Sequence, residues 1–390
     1  MTRDKQYSAV IHPLLSPISL KSIKFSNRIF LSPMWLDSAV GDGTPIVFHQ
    51  DHYWRYAYSG LGGVVLEGTA VSQTGRITPR CLGLYTDSQE HGLGEIVSGF
   101  KKRVESYSKI PTRIGIQLRH AGVKASMDRP KELPPTEILL PEAGGWLPFG
   151  VFSYHGREFR YIDTDVRKMI KEQVVSAAQR AVRAGFELIE LHWAHCYLFH
   201  QYLSMENTNT DESYGGPLES RMKFPVEVFA ATRKAAPSVP LGVRLSFGYK
   251  TQSVQEDIEI NKRVVEELAR NGADYVAISD RGLPGDTVEG RRKMFSLALE
   301  NIRTVAPDLP IMAVGGFCDF HTLSHFYNRG ISDMFAIGRA LLWNPMLIHE
   351  WRHQLNLPYV GPEVYKFAFE GTTNFGPSPP ILTIHSPSSQ

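Results

Sequence analysis

Cysteine is scarce. Three residues in 390, Cys81, Cys196 and Cys318, stand too far apart to form any CxxC pair. They cannot build a four-cysteine zinc site or an iron–sulfur cluster, and a disulfide framework is not expected. An excess of one charge is also missing: 42 Lys and Arg against 40 Asp and Glu leave a net +2. That balance offers no electrostatic case for nucleic acid or for an anionic membrane surface. No run of 18 apolar residues occurs, so no membrane span is expected. The opening MTRDKQYSAV is polar where a signal peptide needs an apolar core, and a reducing, cytoplasmic location is the expectation. No GxGxxG follows an early strand, which removes the main support for a dinucleotide-binding open sheet.

What the chain does hold is a regular alternation. Short aliphatic runs recur at 28–32, 63–69, 113–119, 187–192, 240–246, 274–279, 310–314 and 333–337. Each is rich in Val, Ile, Leu or Phe, as strands buried on both faces must be. Between them lie amphipathic segments at 165–185, 217–237, 254–274 and 289–308; Gly185 caps the first, and Pro225 should kink the second or mark its first turn. Eight strand–helix units with no second composition zone predict an α/β fold, a parallel (β/α)8 TIM barrel. One domain is expected over 10–355, with an extension at 356–390 whose tip is expected to be disordered.

One connection is far too long for a simple turn. Residues 120–164, after the third strand, carry Pro130, Pro134, Pro135 and Pro141, then Gly144-Gly145-Trp146, and the rings Phe149, Phe152, Tyr154 and Phe159. Loops of this length in compact domains are functional or disordered, and so many rings argue for an active-site lid.

Reactive groups in such barrels come from the C-terminal ends of the strands. In order, those ends supply Ser32-Pro33-Met34-Trp35, Glu67-Gly68-Thr69, Gln117 with Arg119-His120, His192-Trp193-Ala194-His195-Cys196-Tyr197, Arg244, Gly315-Gly316 and Gly338-Arg339. The two glycine pairs after strands seven and eight, with Arg339, have the chemistry of a phosphate grip, although each pair alone would serve as a turn. For the histidine cluster three readings stay open. His192, His195 and His200 could ligate a metal; the imidazoles could be structural; or two donors could hold a substrate oxygen while Tyr197 gives a proton. Strand alternation turns Arg244 inward, where it needs an anionic or strongly accepting partner. Gln117 can pair both ways with an amide-like edge, and an arginine, an amide and a phosphate nest facing one cavity suit flavin mononucleotide.

Taken in order, LSPM, GIQLRHAG, HWAHCYLFHQYLS, DESYGGPLESR, GVRLS, AVGG and AIGRALLWNP resemble the old yellow enzyme family of FMN-dependent ene-reductases, closest to its thermophilic-like branch. The resemblance spans residues 10–350. It implies a barrel holding FMN non-covalently, reduced by NADPH or NADH, that passes hydride to the β-carbon of a small-molecule enone. Position by position, His192 and His195 resemble the carbonyl-binding pair and Tyr197 the proton donor. Ser32, Pro33, Met34, Trp35, Gly68, Gln117 and Arg244 resemble the contacts to the flavin ring, and Gly315, Gly316, Gly338 and Arg339 the phosphate grip. Trp35 and Asp37 fall on the substrate side with His192, His195 and Tyr197. No resident metal is implied. The family's pattern of a neighbouring subunit's C-terminal arginine has no counterpart in this tail, so a homo-oligomer stays open.

The chain departs from that pattern at several places. Trp35 stands where the branch has cysteine, Asp37 where it has tyrosine, and Cys196 where glycine precedes the proton donor. Trp193 is large where the family is small, and the arginine expected near Asn207-Thr208-Asn209 is missing. With the lid rings, these changes predict a bulky substrate of a biosynthetic pathway. The alternative is a redox-neutral isomerase or cyclase using the same His192, His195 and Tyr197.

Overall fold

The computed structural model describes residues 12–127, 145–153, 155–207 and 213–367. All eight aliphatic runs become strands of one closed parallel barrel: β1 (Ile29–Leu31), β2 (Gly63–Ala70), β3 (Arg113–Arg119), β4 (Ile189–His192), β5 (Leu241–Leu245), β6 (Tyr275–Ser279), β7 (Ile311–Val314) and β8 (Met334–Ile337). They lie in chain order around the ring, and Phe335, Ala336 and Ile337 of β8 pair with Ile29, Phe30 and Leu31 of β1 to close it. The (β/α)8 barrel is therefore the fold.

Alternation along each strand sorts side chains into two cores. Phe30, Val65, Tyr275, Ala277, Met312 and Met334 fill the lower barrel interior, and a short hairpin, Ile18–Leu20 with Ile23–Phe25, adds Leu20 and Phe25. The opposite faces, such as Val243 and Leu245, pack against the helices. The helix at Thr164–Arg183 starts on Asp163, whose side chain accepts from the Val166 N–H, and stops before Gly185 at φ +90°. Ser253 and Thr287 cap the helices at Val254–Arg270 and Val288–Val305 in the same way. Pro225 lies buried within the body of the helix Leu218–Ala235, not in its first turn.

A 21-residue helix at Asp87–Tyr107 escapes the sequence pattern. Three glycines dilute its propensity, and packing makes one of them necessary: a Cβ on Gly99 would stand 2.5 Å from the Trp54 ring. Tertiary contact overrides the local signal there.

The described parts of the long connection after β3 are folded onto the barrel. Phe149–Gly150 pairs with Arg160–Tyr161, and Phe149, Val151 and Phe152 are buried in the main core. Buried Arg157 donates to the carbonyls of Val123, Ala125 and Ser126. Pro130, Pro134, Pro135, Pro141, Gly144, Tyr154, Thr208, Asn209 and the 368–390 tip lie outside the described residues. Among the described residues no helix is long and apolar enough to cross a membrane.

Candidate active site

The ladder register places inward side chains in levels. Gln117, Glu190, Gly242 and Tyr275 are mutual neighbours across β3, β4, β5 and β6. One inward step higher stand Arg119, His192, Arg244 and Ala277. Gly242 makes the lower level possible, because a Cβ there would lie 2.3 Å from the Tyr275 ring.

Glu190 organises that level. Its Oε1 is 2.8 Å from Arg244 Nε and accepts from Gln117 Nε2 at 2.7 Å, while the Tyr275 hydroxyl donates to Oε2 at 3.4 Å. Arg244 also donates to Ser32 Oγ at 3.1 Å, linking β5 to the end of β1 across the barrel. Because the Gln117 nitrogen faces Glu190, its oxygen is turned toward Gly68, 3.1 Å from where a Cβ would stand. Ser32, Gly68, Gln117 and Arg244, named separately from the sequence, thus converge. Glu190 was missed as a partner; its alternation with His192 was the available signal.

A register shift at Leu66/Gly68 in the β2–β3 ladder re-aims the end of β2, as bulges beside active sites do. Glu67 is fully buried, and its Oε2 accepts from the Leu36 N–H at 3.0 Å, pinning the loop that carries Pro33, Met34 and Trp35. Burial pushes the Glu67 carboxyl up to about 7, against the pull of the Leu36 N–H and the Arg119 guanidinium.

The histidine run behaves as a shaped turn. His195 and Cys196 both adopt left-handed backbone, φ +61° and +60°, a region disfavoured for residues with a Cβ. A glycine would adopt the Cys196 conformation without that cost. The turn brings the His192 ring 5.0 Å from His195 and 4.8 Å from Tyr197, at right angles to the latter. His192 Nδ1 accepts from the Ala194 N–H at 3.2 Å, so in the neutral ring the proton sits on Nε2. His195 Nε2 lies 3.1 Å from Ser279 Oγ. Burial, followed for His192 by His195 and for His195 by Arg244, holds both rings well below the ordinary histidine range. Both rings are therefore neutral at neutral pH. Burial raises Tyr197, with Arg119 pulling it back, so its phenol keeps its proton at neutral pH.

At the far rim, Gly315 and Gly316 have φ +150° and +54°, and a Cβ on Gly316 would meet nothing within 4 Å. Gly338 caps the short helix Arg339–Trp343 and lies against Met34, whose sulfur would be 2.6 Å from its Cβ. The Asp280 carboxyl packs on Gly315; burial raises its pKa, while Arg291 and Arg339 lower it.

Other residues from the sequence reading sit elsewhere. Trp193 is fully buried and packs on Phe199 and Phe229, away from the mouth. Trp35 is 36 % exposed at the rim. Asp37 Oδ1 accepts from the Thr78 hydroxyl at 2.5 Å, and Oδ2 pairs with Arg80 at 2.9 Å. His200 stacks on Tyr249 at 4.4 Å, with Nε2 3.2 Å from the Gly248 carbonyl, so it does not converge with the other two imidazoles. Among the described residues, no group of three or more His, Cys, Asp or Glu side chains is placed to hold a metal ion.

Comparison with known proteins points one way. The model of the NADH:flavin oxidoreductase / NADH oxidase family matches residues 13–358. An NADH:flavin oxidoreductase of Gibberella zeae is 31% identical, covering 92% of this chain and 89% of its own. An NADPH dehydrogenase of Bacillus subtilis is 32% identical over 90% of this chain and 98% of its own. Morphinone reductase shares 25% identity with a TM-score of 0.72, covering 92% of this chain and 94% of its own. Its complex with tetrahydroNAD gives a TM-score of 0.71 at the same identity, covering 92% of this chain and 97% of that one.

Proposed function

Since this chain belongs to the NADH:flavin oxidoreductase / NADH oxidase family, the old yellow enzymes, we propose that it reduces the activated C=C bond of an α,β-unsaturated carbonyl compound. It is an FMN-dependent oxidoreductase fed by NADPH or NADH. We assign FMN binding to the single barrel over 10–355. The three free cysteines suit a reducing compartment, and we place the enzyme in the cytoplasm.

The residues present fit FMN. Ser32, Gly68, Gln117 and Arg244 form a polar cradle whose Gln117 oxygen can accept from an imide N–H and whose Arg244 can meet an electron-rich carbonyl edge. Pro33, Met34 and Trp35 lie on the loop beside it. Gly316 is open, and Gly315, Gly338 and Arg339 complete the phosphate end. Asp280 suits the hydroxyls of a ribityl chain better than a phosphate, because like charges repel. Bound there, FMN would supply the hydride-transfer chemistry that links the nicotinamide to the substrate's β-carbon.

The chain's own residues do the rest. His192 and His195, neutral and buried, donate to the carbonyl oxygen and stabilise the charge that builds there. Tyr197 gives its hydroxyl proton to the α-carbon. One observation carries this reading: the Ala194 N–H occupies His192 Nδ1, leaving Nε2–H as the donor beside a tyrosine ring 4.8 Å away. Trp35 and Asp37 line the approach, and Trp35 with Trp146, which packs in one apolar cluster with Tyr197, favours an extended substrate. Trp193 lends that idea no support. Equal efficiency with cyclohexenone and with larger enones would overturn the size preference.

The test is a visible spectrum of FMN-reconstituted protein before and after anaerobic NADPH, then after an enone. Bleaching followed by return of the yellow colour, with one nicotinamide consumed per product, is expected. Product without nicotinamide consumption would favour an isomerase or cyclase. A chain that takes no FMN at saturating dose would sink the reading.

A further inference from the structure

Arg119 has no role in the assignments above, yet it stands at their centre. It lies one inward step above Gln117 on β3, level with His192 and Arg244. The residue is 2 % exposed. Its Nε and Nη2 are both buried without a hydrogen-bond partner among the described residues. The guanidinium carbon is 5.1 Å from the centroid of the Tyr197 ring, and Nη1 lies 3.3 Å from where a Cβ on Gly68 would stand. Gly68 marks the flavin side of the site and Tyr197 the proton-donor side, so the guanidinium borders the space between them where a substrate must lie.

A buried cation persists where an anion or strong acceptor meets it. The surroundings supply little. Glu67 commits Oε2 to the Leu36 N–H, and with a pKa of about 7 it is only partly ionised at neutral pH. The Cys81 thiol and Tyr197 phenol beside Arg119 hydrogen-bond its guanidinium, but neither is a carboxylate. Lys124 adds a second positive charge, its Nζ 5.1 Å from the Tyr197 ring centroid. Asp37, the acid at the mouth, is already paired with Arg80. Positive charge is therefore in excess around Arg119, and a guanidinium is the side chain that meets a carboxylate through two parallel bonds.

We propose that Arg119 is a substrate-binding residue that receives a carboxylate carried by the substrate, so that preferred substrates are unsaturated carbonyl compounds bearing an acid group. The proposal rests on the ene-reductase reading and narrows its substrate class. Nothing in the family resemblance supplies it, since it follows from an arginine at this position.

The probes are 4-oxo-4-phenylbutanoate and its methyl ester, which bind without an alkene to react, and their unsaturated parents, 3-benzoylacrylate and its ester. Binding is read from the flavin absorbance of the oxidised FMN-loaded enzyme, and turnover from NADPH consumption. The wild type should bind the acid at least roughly tenfold more tightly than the ester, a typical margin for a site built around a polar group. Arg119→Met should erase that ratio mainly by weakening the acid, with Arg119→Lys restoring part of it. A wild-type ratio at or below one overturns the proposal without any variant. So does an unchanged ratio in Arg119→Met, or loss of FMN from that variant, which would put the guanidinium in coenzyme retention. If the acid binds preferentially but neither unsaturated parent reoxidises the flavin, the ene-reductase reading fails while the anion site stands.

Discussion

Glu190 and Arg244 form a buried ion pair within the barrel mouth, Oε1 to Nε at 2.8 Å, with the carboxylate fully buried and the guanidinium nearly so. The same oxygen accepts from Gln117, so one carboxylate orients the two side chains expected to meet the flavin's pyrimidine edge. It also offsets the positive charge that Arg244 offers there. Replacing Glu190 with Gln should therefore raise the midpoint potential of bound FMN, because an unneutralised guanidinium favours the electron-rich reduced form. Breaking one side of a buried pair should cost about 3 kcal/mol in stability. Equilibrium dye titration and urea unfolding read the two effects. A stability loss with an unmoved potential would reduce Glu190 to a structural role.

Tyr197→Phe separates the half-reactions. Flavin reduction by NADPH should stay within about threefold of wild type, while reoxidation by an enone should slow by about a hundredfold or more, the usual scale for removing a general acid. Stopped-flow absorbance measures both. A parallel fall would remove Tyr197 from the proton-donor role.

Acid should destabilise the fold steeply. Burial holds His49, His52, His200 and His349 at about 4 and His120 at about 3. Their unfolded forms bind protons first, so stability present above 6.5 is lost as pH falls toward 4. Each contributes about 1.4 kcal/mol per pH unit in that window. Glu67 opposes them: raised to about 7, it takes up its proton in the folded state first and adds stability as pH falls from 7 to its unfolded value. His192 and His195, also held below the ordinary range, act with these five, and Asp280, also raised, acts with Glu67, so the balance is a net loss. Urea midpoints from pH 8 to 4.5 should fall monotonically below pH 6.5, and a flat profile would contradict the neutral burial of these rings.

The two tryptophans should behave oppositely. Trp193→Ala empties a fully enclosed site between Phe199 and Phe229 and should cost about 3–5 kcal/mol. Trp35→Ala at the exposed rim should stay within about 0.5 kcal/mol. Chemical denaturation of the two variants checks the pair; equal losses would show that Trp35 is also a packing residue.

Backbone conformation at the turn gives a further expectation. Cys196 sits at φ +60°, so Cys196→Gly should be neutral or stabilising by up to about 1 kcal/mol, whereas Cys196→Val should destabilise by more than that. Thermal unfolding midpoints distinguish the two. A stabilised valine variant would mean the turn has another conformation.

Much of this protein is written locally. Eight strands could be placed because burial on both faces leaves an unbroken aliphatic run, and four helices because one apolar face recurs every turn. The site motifs were legible for the same reason: strand ends and glycine turns are short-range features. Even the outward course of Trp193 follows from alternation, since His192 before it points inward. The helix at Asp87–Tyr107 was hidden because Gly99 answers to the Trp54 ring rather than to helix propensity. What local sequence could not determine is which distant side chains share a partner. Glu190, Gln117 and Arg244 come from three strands and Ser32 from the residue just past a fourth, and only barrel closure brings them within hydrogen-bonding reach. Whether Arg119 meets a counter-charge likewise depends on where Glu67, Asp37 and Tyr197 finally stand. Periodicity and turn chemistry act over a few residues, whereas charge pairing acts through space, and only the folded chain fixes those distances.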